Sequence, residues 1–272
     1  ASPPQLIDQA IDGVADIVWT VAGYTPGRFP QLEVFELPFI SQDAEATSRA
    51  YWELAEVRMM DTDFADFKPL GLWVHGPGVI HSARPVTTVA DLRGLKLRAP
   101  SRTTTTLFTE LGASAIGMPV PAVPESLSRG VVDAAVIPWE VAPSLKVEEL
   151  VACDTEFPGD HLYTLAFIMA MNQDAYDALP ADLQAVIDAN SGLEFSAFAG
   201  RTQQAADAKG RALAEGRGNT IVTLTSDQVA EWQEASQPTI ENWIADRSAE
   251  GLDGQGIYDD AIALIAKYRA GN

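Results

Sequence analysis

From Ala15 to Met171 short apolar runs alternate with helix-patterned stretches, and this alternation restricts the chain more than any other feature. Ala15–Trp19, Pro69–Val74, Gly78–Ser82, Leu95–Arg98, Val131–Ile137 and His161–Met171 read as strands. Between them Ala44–Met60 has the spacing of an amphipathic helix, and Leu6, Ile7, Ala10, Ile11 and Val14 mark another behind Pro3 and Pro4. Ser101 is placed to cap a helix running through Leu111, which Gly112 closes. Strands alternating with helices at this spacing predict an α/β fold with parallel sheets. After Met171 the pattern changes. Asp177–Ala214 is almost continuously helical, and a strand at Thr220–Leu224 and helices at Asp227–Arg247 and Tyr258–Arg269 follow. Gly192 and Gly200 interrupt the long helical stretch. Each reads either as a weak point where the helix bends, since glycine costs a helix about 1 kcal/mol relative to alanine, or as a separator of shorter packed helices.

The chain has 272 residues, enough for two lobes of about 100–150 residues each. The expected division puts residues 1–76 and 164–205 in lobe I, and 77–163 and 206–272, with the C-terminal helices, in lobe II. A formal net charge of −20 argues against nucleic acid or an anionic membrane surface as partner, although a few arginines in a cleft still suffice to hold a small anion. The single cysteine, Cys153, rules out an intrachain disulfide within this sequence and reads as an inert core thiol. No apolar run approaches the ~18 residues that span a bilayer. The opening Ala1-Ser2-Pro3-Pro4 lacks the basic and apolar regions of a signal peptide, so the chain reads as cytosolic or as the mature form of an exported protein.

The residues of covalent chemistry are not assembled. His75, His81 and His161 show no zinc-ligand spacing, and neither a GxSxG elbow nor a Walker loop occurs. No metal, cofactor or catalytic residue is therefore expected, and the balance shifts from enzyme to binder. The stretch Asp91-Leu92-Arg93-Gly94-Leu95-Lys96-Leu97-Arg98-Ala99-Pro100-Ser101-Arg102 is the most informative. It places Arg98 at the carboxyl end of a strand, where open α/β sheets bind ligands, just before a helix N-terminus. A guanidinium fork beside free amides is a good carboxylate receptor. By position alone, a surface arginine paired with a neighbouring acid fits equally well.

Asp91–Pro100 resembles the "DLKGLKIRVP" signature of solute-binding proteins of TRAP (tripartite ATP-independent periplasmic) transporters. Phe35-Glu36-Leu37-Pro38-Phe39, Gly112-Ala113 before Met118-Pro119, Gly130–Ala134 before Pro138, and Tyr176-Asp177-Ala178-Leu179-Pro180 are similar to further family segments, in the family's order. The resemblance implies a two-lobed periplasmic clamshell that captures a small organic carboxylate unchanged and hands it to a TRAP membrane permease. It implies that Arg98 binds the carboxylate. Two departures stand out. The strand–helix unit that family members carry before the segment matching Pro4–Asp16 is missing, so the chain reads as a form without it. Where many acid-binding members have Gln-Glu-Asn-Pro, this chain has Ala135-Val136-Ile137-Pro138 and then Trp139-Glu140, implying a ligand with an apolar or ring-like body.

The same alignment makes Trp19, Tyr24, Trp139 and Tyr163 candidate pocket aromatics, joined by His75 at a strand end and by Glu140. Ordinary core packing is the competing reading for each aromatic. Arg102, one turn beyond Arg98, reads either as a second cationic contact or as a solvated surface arginine. A sensory module that delivers ligand to a receptor, or an α/β enzyme acting on a small organic acid, would be the alternative functions.

Overall fold

In the computed structural model, which describes residues 2–271, the strands are β1 (Ile17–Val21), β2 (Lys68–Val74), β3 (Gly78–Ser82), β4 (Lys96–Ala99), β5 (Ser114–Gly117), β6 (Ala134–Pro138), β7 (Cys153–Glu156), β8 (Ala166–Met171) and β9 (Thr220–Thr223). The helices are α1 (Leu6–Ile11), α2 (Ala44–Arg58), α3 (Arg102–Glu110), α4 (Val123–Ser128), α5 (Ala142–Leu145), α6 (Gln173–Asp177), α7 (Ala181–Ala189), α8 (Leu193–Arg217), α9 (Ser226–Ala249) and α10 (Gly254–Ala270). The strands form two sheets, ordered β1-β8-β2 and β5-β4-β6-β3-β7-β9.

The expectation of parallel sheets holds only in part. β4 is parallel to both β5 and β6, and β7 to β9, but β3 runs against β6 and β7, and the three-stranded sheet is antiparallel throughout. β3 enters the larger sheet straight from the smaller one, through His75-Gly76-Pro77, with no helix between. Apolar patterning locates strands but carries no information about the direction from which each enters its sheet. A second connection, His161–Leu165, runs beside this one and belongs to neither sheet. Its backbone is paired instead with loop residues and the start of β3: Phe39 N–H donates to the His161 carbonyl at 2.9 Å, His161 N–H to the Ser41 carbonyl at 2.7 Å, and Gly78 N–H to the Tyr163 carbonyl at 3.2 Å. The predicted long strand from His161 therefore begins only at Ala166.

Each sheet has its own core. β8 and β2 pack with α2 around Phe35, Tyr51, Leu54 and Ile168, while Leu97, Leu107, Phe108, Val136 and Trp232 centre the larger sheet's core. The chain's end contributes to both cores. Ile257, Ala261 and Ile265 of α10, with Ile240 and Trp243 of α9, belong to the first core, because α10 lies along α2. Leu224, just after β9, and the beginning of α9, with Val229 and Trp232, join the second. The region 206–272 is thus shared between the two cores.

The long helix α8 ties both together. It runs unbroken through Gly200, and the interruption lies at Gly192, whose positive φ of 86° starts the helix. Gly200 lies where a Cβ would sit 2.3 Å from Ser48 Oγ and 2.6 Å from the Ala44 carbonyl of α2. One helical span further on, a Cβ on Gly210 would meet the Trp139 carbonyl at 1.9 Å. Two hydroxyls complete the edge strand β2, whose outward N–H groups no strand covers. Leu72 N–H donates to Ser196 Oγ of α8 at 2.9 Å and Val74 N–H to Ser48 Oγ of α2 at 3.0 Å. Side-chain acceptors on a sheet edge remove the unpaired donors that would otherwise invite another strand.

Candidate functional site

A cavity of about 230 Å³ lies where the two connections meet the ends of β1, β4 and β6. Its chemistry centres on Arg98. The register places Arg98 opposite Ile116 of β5 and Ala135 of β6, so the side chain emerges between two strand ends. Nε donates to the Met118 carbonyl at 3.0 Å and Nη1 to the Val136 carbonyl at 2.9 Å. Those bonds hold the guanidinium plane, and Nη2 is left buried without a partner. The residue is 2% exposed. Burial draws its pKa down from the usual arginine value, and the phenol groups of Tyr24 and Tyr163 oppose that shift. A fixed cation with one unsatisfied donor costs free energy until an acceptor reaches it.

Other unpaired polar atoms share these walls. Tyr163 OH, Thr20 Oγ1 and His75 Nε2 are buried without partners, and all three residues line the cavity. Burial pushes the Tyr163 phenol well above the usual tyrosine range, so it is a neutral donor. His75 is held down to about 4, mainly by burial and further by Arg98, although its bond to Gly76 acts the other way. Apart from Glu140 and Gln203, the rest of the wall is mainly apolar: Ile137, Pro138, Val120, Leu165 and an aromatic group from the smaller sheet. Within that group Phe167 stacks on Trp73 at 5.4 Å and lies 5.8 Å from Trp19, ring centre to ring centre.

Of the residues singled out from sequence, Arg98, Trp19, Tyr24, Tyr163, His75 and Glu140 meet around this one cavity. Two do not. Trp139 turns away from it into a small core with Val79 and Ala214, edge-on to His81, with its Nε1–H donating to Glu156 at 2.9 Å. β6 ends at Pro138, so its neighbours Ile137, Pro138 and Glu140 form wall where Trp139 does not. Arg102, the first residue of α3, reaches Glu33 at 2.9 Å and is not part of the wall. Glu33 is buried and also bound by Arg247 at 2.6 Å, so Arg102 completes an ion-pair node between the lobes. Thr20, Phe167 and Gln203 were not anticipated. Phe167 lies in an apolar run, where it is indistinguishable from core, and Gln203 sits on a helix far along the chain.

Glu140 of the wall and Asp207 beside it titrate close to neutrality, well above the usual carboxylate range. Glu140 is raised to about 7 by burial, against a hydrogen bond from Gln203. Asp207 of α8 is raised to about 7 by burial and by the Glu140 charge, against the Glu140 N–H that donates to it at 2.9 Å. Deeper in the first core, burial lifts Glu36 to about 8. Between pH 4.5 and 7 the folded chain keeps protons that these carboxyls lose on unfolding, so their contribution to stability falls as pH rises through the folded values. His75 at about 4 and His161 at about 3 act oppositely, and their contribution is lost as pH falls below about 6.5 toward those values. Above pH 6.5 the carboxyl effect alone remains. Asp207→Asn should therefore gain in melting temperature relative to the unsubstituted chain between pH 6 and pH 8.5. A constant difference across that range would show that Asp207 is already ionised at pH 6.

The described residues contain no cluster of three or more His, Cys, Asp or Glu placed to hold a metal ion, and no helix long and apolar enough to cross a membrane. The family model for the bacterial extracellular solute-binding proteins, family 7 (DctP), matches residues 1–246. The chain belongs to this family of TRAP solute-binding proteins. A TRAP solute-binding protein from Rhodoferax ferrireducens T118, solved with copurified benzoate, is 48% identical and superposes with a TM-score of 0.98 over 99% of this chain and 84% of that one. A marine metagenome TRAP solute-binding protein specific for aromatic acids, solved with 3-hydroxybenzoate, is 44% identical with a TM-score of 0.96 over 98% and 84% of the two chains. The outer membrane transporter protein TsaT of Comamonas testosteroni is 27% identical over 99% of this chain and 80% of its own length. The fold is thus the family's two-lobed α/β architecture, and the function is that of an extracytoplasmic transporter receptor. The family consists of solute-binding proteins rather than enzymes.

Proposed function

We propose that this chain captures an aromatic monocarboxylate in the periplasm and delivers it unchanged to a TRAP membrane permease. The observation that carries the reading is the pairing of one buried cation, Arg98 with its free Nη2, with walls of Ile137, Pro138, Trp19 and Phe167. One guanidinium donor and the Tyr163 hydroxyl suit one carboxylate, and the flat apolar remainder suits a ring. A second carboxylate would find no second cation, since Arg98 is the only Arg or Lys among the described residues of the wall. Glu140 would oppose it. The benzoate and 3-hydroxybenzoate seen with the two similar proteins lend the reading further support.

The test is thermal unfolding with benzoate, phenylacetate, succinate and a sugar acid, followed by calorimetry on whatever shifts the melting point. A ligand at 100 times its Kd that binds only the folded state stabilises by about 2.7 kcal/mol. For a chain of this size each kcal/mol raises Tm by roughly 2–4 °C, so benzoate should give a shift of several degrees. Succinate should give none. A succinate shift equal to that of benzoate would overturn the aromatic assignment, and new products in the incubated sample would overturn capture without chemistry.

A further inference from the structure

His75 is 1% exposed and stands on the connection between the sheets, with its ring edge-on to Tyr163 at 5.6 Å. Its Nδ1 lies 2.5 Å from the Gly76 carbonyl, which can only accept, so Nδ1 carries a proton. Thr164 leaves that arrangement undisturbed, because its hydroxyl donates to the His75 carbonyl at 2.8 Å. A neutral imidazole protonated at Nδ1 has a bare lone pair at Nε2. The depressed pKa keeps the ring neutral at physiological pH. Nε2 is buried, without a partner, in a residue of the cavity wall.

The cavity therefore offers two kinds of unmet demand. Arg98 Nη2 and Tyr163 OH are donors, and a carboxylate answers both. His75 Nε2 is an acceptor, which a carboxylate repels and a plain ring leaves unpaired. We propose that His75 is a specificity-determining residue, whose Nε2 accepts a hydrogen bond from a hydroxyl on the aromatic acid held by Arg98. The inference rests on the aromatic-carboxylate reading above and narrows it to hydroxylated acids. A buried acceptor left unsatisfied is expensive, so unsubstituted rings are discriminated against even though they fit.

Calorimetry on the unsubstituted chain with benzoate, the three monohydroxybenzoates, the corresponding methoxybenzoates and mandelate tests the idea. At least one hydroxylated acid should bind about 10-fold more tightly than benzoate, the size of one neutral hydrogen bond. Its methoxy counterpart, which fills similar space without a donor, should lose that gain. In His75→Phe the ratio of hydroxy acid to benzoate affinity should fall to about 1. The methoxy arm needs no variant, so the inference stays testable if His75→Phe does not fold. Benzoate binding with every hydroxy acid equal or weaker would overturn the role of His75 while leaving the aromatic reading intact. A gain that survives in the methoxy acid or in His75→Phe would overturn it too. Failure of benzoate and all its derivatives to bind would overturn the aromatic reading and the His75 role together.

Discussion

Arg98→Ala is expected to weaken benzoate binding by roughly 10- to 150-fold, the equivalent of about 1.5–3 kcal/mol for a hydrogen bond to a charged group. The upper end is favoured, because the carboxylate would then sit in a largely apolar cavity beside Glu140 with no cation to meet it. The substitution also frees the Met118 and Val136 carbonyls that Arg98 now bonds, so some folding stability will be lost alongside. Arg98→Lys separates the two effects. Lysine keeps the charge, but it lacks the planar fork that bonds two carbonyls while aiming a third nitrogen at a ligand. Its affinity should fall between those of the alanine variant and the unsubstituted chain. Titration calorimetry on samples that each melt in a single transition is the measurement. A Kd for Arg98→Ala within twofold of the unsubstituted value would remove Arg98 from the ligand site.

Much of that site was legible because its residues sit at strand ends, where pattern and position agree. Arg98 follows an apolar run and precedes a capped helix, so its location needed only local sequence. Ile137, at the end of β6, is readable as an apolar wall residue for the same reason. Trp139 packs away from the cavity, which its sequence position does not foretell, because alternation across a strand stops being a guide one residue past its end, and Pro138 ends β6. The ion pair of Arg102 is not legible locally, because its partner Glu33 lies 69 residues away and nothing local marks that acid as buried. Strand direction was beyond reach for a similar reason: β3 is bracketed by β6 and β7, both far along the chain. β5 and β7 were missed because Ser114–Gly117 and Cys153–Glu156 are short and partly polar, and their pairing partners, rather than their propensity, make them strands. The unpaired His75 Nε2 was equally out of reach, since tautomer and partner depend on where the Gly76 carbonyl turns.

The glycines of α8 show how far local propensity can mislead, and they give the second large expected effect. Sequence offers two roles for a helical glycine, a flexible point or a boundary, and Gly200 fills neither. It is a contact residue: the helix can lie against α2 only without a side chain there, since a Cβ would sit 2.6 Å from the Ala44 carbonyl. Gly210 has the same function against the Trp139 carbonyl, next to cavity residues Pro138 and Glu140. Gly216, in the last turn of the same helix, has nothing within 4 Å of its would-be Cβ. Alanine at all three positions should gain intrinsic helix stability, up to about 1 kcal/mol each. At Gly200 and Gly210 overpacking against backbone should outweigh that gain, for a net loss of about 1–3 kcal/mol and a Tm lowered by roughly 2–4 °C per kcal/mol. Gly216→Ala should raise Tm slightly. Gly210→Ala should in addition weaken benzoate binding, because the Trp139–Glu140 segment must move to admit the methyl group, whereas Gly200→Ala, buried against α2, should leave binding closer to normal. Thermal melts of the three variants, with calorimetry on the two that lose stability, decide the matter. If Gly200→Ala and Gly210→Ala gain stability as Gly216→Ala does, close backbone approach is not what holds α8 across the two lobes, and flexibility returns as the reason for its glycines.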